Sequence, residues 1–130
     1  MPFILYEVQT FIFLNPSKES GIKSGYYMQL SEGEKTKLFC KIDYSTREKQ
    51  TANTFGIITI FDRKVRYYLL YNNQYYNMKN AGSFSKIFPQ YKKQINQYAK
   101  DRKLNFRNNT ELSLYYLAEY CEELLTSRNN

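Results

Sequence analysis

The sequence predicts an α+β fold: an antiparallel β meander of about six strands, followed by two C-terminal helices packed on the sheet. Three observations carry this expectation. Residues 3–78 are rich in β-branched and aromatic side chains with period-two stretches. Their connections are too short for the crossovers that parallel strands need. Beyond Ser83 the apolar spacing changes to steps of three and four. Strands first and helices second give segregated layers.

The elements follow in order. Phe3–Leu14 reads as a strand, with Ile4, Tyr6, Val8, Thr10, Ile12 and Leu14 on one face. Asn15–Gly21 is a loop by its Asn-Pro-Ser and Gly chemistry. Ser24–Leu30 and Lys35–Asp43 form a hairpin about the turn Ser31-Glu32-Gly33-Glu34, with Leu38, Cys40 and Ile42 opposing Lys37, Phe39 and Lys41. Tyr44–Asn53 is polar and aperiodic, and reads as a loop. Phe55–Phe61 is a strand, Asp62-Arg63-Lys64 a turn, and Val65–Tyr71 the returning strand. Asn72-Asn73 suits a two-residue turn because Asn tolerates left-handed backbone. Gln74–Met78 closes the meander.

Phe84, Phe88, Tyr91, Ile95 and Tyr98 mark one helical face. Ser83 is the expected cap, and Pro89 suits the first position of a helix reaching about Lys103. Asn108 with Glu111 resembles a capping box for a last helix from about Thr110 to Leu125. That helix carries one stripe of Leu114, Leu117, Ala118, Cys121, Leu124 and Leu125, and a second of Leu112, Tyr116 and Tyr120. The whole is one domain, 1–130, with the sheet in 1–78 and the helical segment in 83–126.

Composition limits the chemistry. Among 130 residues there is no His, so triads, Cys–His pairs and His metal sites are excluded. Two Cys cannot make a Cys₄ zinc site. The five Gly form no phosphate-binding loop. Glu122 and Glu123 diverge on a helix, while Asp43 and Asp62 stand at strand ends without a partner. No catalytic, cofactor or metal site is expected, and the reading is not an enzyme. Cys40 and Cys121 lie among apolar residues, where buried free thiols are the commoner arrangement and a disulfide the alternative.

The charge is +7, concentrated in one segment: residues 83–103 hold six basic and one acidic side chain. Lys92, Lys93, Lys100, Arg102 and Lys103 read first as the solvated face of an amphipathic helix, with a phosphate-contacting face as the alternative. No recognised nucleic-acid signature accompanies them. The 14 Tyr include the pairs Tyr26-Tyr27, Tyr67-Tyr68 and Tyr75-Tyr76 in strands. Alternation sends one ring of each pair to each face. The rings serve either as cross-strand packing or as a surface for a protein or carbohydrate partner.

The favoured function is a non-enzymatic binding module using this aromatic sheet face; the alternative is nucleic-acid binding through the basic helix 89–103. An exposed edge strand at Phe3–Leu14 also permits a homodimer. No membrane span is expected, since no stretch approaches about 18 apolar residues. The N-terminus lacks the basic start of a signal peptide, which suggests a cytoplasmic chain or a trimmed mature one.

Residues 65–124 carry a resemblance. Tyr67-Tyr68-Leu69, Asn72-Asn73-Gln74-Tyr75-Tyr76 and Ser83-Phe84-Ser85-Lys86-Ile87-Phe88-Pro89 lead to Lys92-Lys93, Ile95 and Tyr98. Lys103-Leu104-Asn105-Phe106 and Leu112 to Tyr120 follow. This order is similar to a segment recurring in a family of secreted Bacteroidetes-type bacterial proteins of unknown function. The resemblance implies an extracytoplasmic location and supplies no ligand residues.

Overall fold

A computed structural model describes residues 10–50 and 56–127. Five antiparallel strands form one sheet in sequence order: β1 (Thr10–Leu14), β2 (Gly25–Glu32), β3 (Thr36–Gln50), β4 (Ile57–Tyr71) and β5 (Gln74–Met78). Three helices follow: α1 (Ala81–Ile87), α2 (Lys92–Asp101) and α3 (Thr110–Ser127). Short 3-10 turns cover Lys18–Ser20 and Pro89–Tyr91. The class is α+β, with the C-terminal helices on one sheet face. The part of the first expected strand before Thr10 lies outside the described residues.

The strand count falls to five because β3 and β4 are longer than their sequence suggests. Tyr44–Gln50 is strand rather than loop, paired from Tyr44↔Arg63 to Gln50↔Ile57. The expected turn at Asp62-Arg63-Lys64 is continuous strand, opposite Ser45, Tyr44 and Asp43. Polar residues alternate with polar residues here, so no hydrophobic period marks the strand. Backbone pairing sets it instead, and no Gly or Pro interrupts 34–55 or 57–71. Residues 51–53 of the expected loop lie outside the described residues.

The hairpin details follow local chemistry. Asn72 and Asn73 both take left-handed φ, 55° and 64°, which a tight turn with the twist of its strands requires. In β2 the pairing shifts between Gln29 and Ser31, leaving Leu30 as an extra residue that turns toward the helices.

Register defines the faces. Cys40 pairs with Met28 and Tyr67, Leu38 with Leu69, and Leu69 with Tyr76. Leu38, Leu69 and Met78 meet Phe84, Phe88, Ile95, Leu114, Leu117 and Cys121 in one buried core. Full burial of each such side chain is worth about 1.5–3 kcal/mol. Leu124 and Leu125 are half-buried at its end.

The helix caps differ from expectation. Asn80, not Ser83, caps α1: its Oδ1 accepts from the Ser83 amide at 3.3 Å. Ser83 is the reciprocal member, its Oγ accepting from the Lys79 and Asn80 amides. Pro89 opens a 3-10 turn before α2. Asn108 makes no capping bond; Asn105 Oδ1 accepts from the Arg107 and Asn108 amides, and the Asn105 amide donates to Ser113 Oγ at 3.0 Å. Both polar anchors lie one turn away from where composition places them.

A long-range bond locks α3 to the sheet. The Glu122 carboxylate accepts from the amides of Glu34 (3.0 Å), Lys35 (3.1 Å) and Thr36 (2.9 Å), and from Thr36 Oγ1 (2.9 Å). These donors belong to the β2–β3 turn. A carboxylate gathering several amides is a strong, charge-assisted arrangement. Gly33 makes room for it: a Cβ there would fall on the Glu122 carboxyl group.

Glu119, on the same helix, is held above the usual carboxylate range by burial first, then by Glu122 and Glu123. A carboxyl whose folded value is raised adds stability below its unfolded value, and that stability is lost as pH rises through the folded one. Glu119→Gln is therefore expected to raise stability slightly at pH 7 and to change little near pH ~3, below the ordinary carboxylate value, where the group is protonated both folded and unfolded. Urea unfolding at the two pH values checks this; an equal effect at both rejects it.

Candidate functional site

The Tyr pairs straddle the sheet. Tyr26, Tyr67 and Tyr76 lie on the helix side; Tyr27, Tyr68 and Tyr75 lie on the opposite side. Tyr67 and Tyr76 pack against the helical core, while Tyr26 is 67% exposed. On the opposite side Tyr27 stands edge-on to Phe39 (6.5 Å) and Tyr68 (6.0 Å), and Phe39 meets Tyr75 at 6.3 Å. Tyr27 and Phe39 are each 1% exposed, so these rings form a packed layer rather than a row of free faces. The Tyr27 hydroxyl donates to the Lys23 carbonyl at 2.7 Å, drawing the β1–β2 connection over the ring. Burial holds the Tyr27 phenol above its ordinary value, with smaller contributions from Tyr68, Asp43 and Tyr75.

Beside this layer lies a cleft of about 340 Å³, bounded by the β1–β2 connection, Lys41, Asp43, Arg66 and Tyr68. Asp43 sits between two cations, 4.0 Å from Lys41 Nζ and 3.6 Å from an Arg66 guanidinium nitrogen. Lys41 Nζ also stands 5.4 Å from the centre of the Tyr27 ring and donates to the Tyr26 carbonyl at 3.4 Å.

The helices cover only part of their face. Phe11, Phe13, Tyr26, Tyr44, Ile57 and Phe61 all share the helix side by register, and all are exposed, up to 76% at Phe61. Phe13 and Tyr26 meet edge-on at 5.2 Å. Among the described residues, 41–50 and 57–66 pair only with one another, because β2 reaches β3 only as far as Cys40 and β5 reaches β4 only from Tyr67. The result is a two-stranded arm whose outer edges pair with no other described strand. Sequence reasoning missed Tyr44 because it ended β3 at Asp43; it placed Ile57 and Phe61 in a strand but not on an uncovered face. The absence of Gly and Pro was the usable signal.

The five basic residues Lys92, Lys93, Lys100, Arg102 and Lys103 are all exposed. Arg102 lies 5.3 Å from the centre of the Tyr98 ring, and Tyr98 stacks on Tyr120 at 4.1 Å. The ring beside Arg102 is thus already stacked within the protein.

Cys40 and Cys121 are free and buried, and burial pushes both thiols up to about 12. Neither forms a reactive thiolate near neutral pH. Among the described residues, no helix is long and apolar enough to cross a membrane.

Comparison of the chain with known protein families, with curated proteins and with solved structures finds no match in any of the three.

Proposed function

We propose that the protein is a non-enzymatic binding module that takes a polypeptide strand along its β3–β4 arm and the uncovered aromatic face beside it. The observation that carries this reading is the arm itself. A two-stranded ribbon is marginal alone in water. This one exposes Tyr44, Ile57, Ile58 and Phe61, and among the described residues no further strand pairs with either of its edges. Strand addition satisfies both needs at once: main-chain bonds at the edge, and alternate side chains on the face. Ile and Phe offer nothing to sugar hydroxyls, which favours a protein over a carbohydrate.

Charge narrows the occupant. On the arm Lys41, Arg47, Lys49, Arg63, Lys64 and Arg66 outnumber Asp43, Glu48 and Asp62, and the chain carries +7. An apolar strand with acidic flanks fits this surface better than a second copy of the same basic chain. The alternative, nucleic-acid binding through Lys92, Lys93, Lys100, Arg102 and Lys103, rests on charge alone.

The test is peptide selection from a random displayed library on wild type and on a Tyr44→Ser, Phe61→Ser double variant of unchanged melting temperature. Wild type should enrich alternating apolar peptides with Asp or Glu at their ends, and the variant should not. Identical enrichment on both proteins overturns the reading. So does a solution mass of twice 15.6 kDa that the double variant alone loses, which would assign the face to a homodimer.

A further inference from the structure

We propose that the cleft on the face turned away from the helices binds a small ligand carrying a phosphate or carboxylate group. Arg66 and Lys41 make the primary contacts and Lys23 stands at the rim. The site lies on the opposite side of the sheet from the exposed aromatic residues, so it stands independently of the strand-binding reading. Its volume of about 340 Å³ suits a small molecule rather than a polymer.

Three features make it a place for an anion. Lys23, Lys41 and Arg66 face a single carboxylate, Asp43, and Lys64 stands directly across from Asp43 on β4. The local balance is therefore positive with Asp43 ionised. Second, Asp43 lies 3.6 and 4.0 Å from its two cations, beyond hydrogen-bond distance, so it gathers them without occupying their donors. The Arg66 guanidinium remains able to offer two parallel N–H groups, the geometry that oxyanions accept. Third, Lys41 is held in place. Its ammonium rests over the Tyr27 ring at 5.4 Å, and among the described residues its one direct bond, to the Tyr26 carbonyl, is long at 3.4 Å.

The backbone makes space for this arrangement. Gly25 adopts φ +153°, which side-chain-bearing residues rarely take, and a Cβ there would approach Lys41 Nζ to 3.1 Å. Gly25 thus leaves the ammonium its position above the ring. The buried aromatic floor excludes water from one side of the charges, which reduces their screening. Asp43, once an anion sits on the two cations, is placed to accept from a hydroxyl of the same ligand.

Titration calorimetry with glycerol 3-phosphate, glutarate and glycerol tests the proposal. At least one of the two anions should bind saturably at one site, and glycerol should not. Binding of glycerol 3-phosphate alone assigns the ligand group as phosphate, and of glutarate alone as carboxylate. Arg66→Gln should weaken the binding anion about tenfold or more, the loss expected for charge-assisted bonds. Lys93→Gln, on the far helix, should leave it unchanged. Lys23→Gln, on the exposed connection, should weaken it by a smaller factor without touching the sheet. The proposal is overturned if neither anion binds by about 10 mM, if glycerol binds equally well, or if the Arg66→Gln and Lys23→Gln proteins bind as wild type does.

Discussion

Glu122→Ala is expected to destabilise the fold by about 3 kcal/mol, with the urea midpoint lowered at unchanged slope. The lost carboxylate accepts from three consecutive amides and a hydroxyl of the β2–β3 turn. The amides of Glu34 and Lys35 are at the surface and can turn to water. Thr36 cannot, since it is 1% exposed, and its amide and hydroxyl both lose their acceptor. Leaving buried donors unpaired costs more than the mean hydrogen bond contributes. Glu122→Gln should fall between, because the amide keeps one acceptor oxygen but turns an NH₂ group toward the same donors. Gly33→Ala reaches the same end by another route, its methyl displacing the carboxyl group. The two substitutions act on one contact and should not add: in the Glu122→Ala background, Gly33→Ala should cost far less than it does alone. Additive costs would show that the turn is held by something other than Glu122.

That contact marks the limit of what the sequence shows. The hairpin about Gly33, the Asn72-Asn73 turn and the bounds of Gln74–Met78 are local, and each reads from a few neighbouring residues. The α3 stripe of Leu114, Leu117, Ala118 and Cys121 reads equally well, because one helix face meets one core. Glu122 binds amides 86 to 88 positions away, and a carboxylate beside Glu123 on a helix gives no local sign of that role. The arm failed for a different reason. Both faces of 44–50 meet solvent, so their alternation carries no hydrophobic signal, and the strand exists because its partner, Ile57–Arg63, is β-branched and aromatic. The site followed the fold. The alternation that sends Tyr27, Tyr68 and Tyr75 to one side was legible. That Tyr27 is closed over by the β1–β2 connection was not, because it depends on one bond from its hydroxyl to the Lys23 carbonyl.

Phe88→Ala is expected to cost about 3–5 kcal/mol, a large share of the 5–15 kcal/mol that holds a domain of this kind together. Phe88 is almost fully buried and meets Tyr71 edge-on at 4.8 Å, so truncation removes a ring from between the sheet and the helices. Its backbone joins α1 to the following turn: its amide donates to the Phe84 carbonyl, and its carbonyl accepts from the Tyr91 amide. Those bonds survive the substitution, so the loss measures packing alone. The surrounding side chains cannot close the gap, since Phe84, Ile95 and Leu117 are themselves fixed in the same core. Thermal unfolding should show a fall in melting temperature of about ten degrees or more, at roughly 3–5 °C for each kcal/mol in a domain of this size. Phe61→Ala provides the contrast. The ring is 76% exposed, and removing it should change stability by less than about 0.5 kcal/mol. The same substitution at the two positions, one between the helices and the sheet and one on β4, then separates the two uses of phenylalanine. At position 88 the ring holds the helices to the sheet; at position 61 it costs the fold nothing to remove, and its loss should appear only when a strand is offered to the arm.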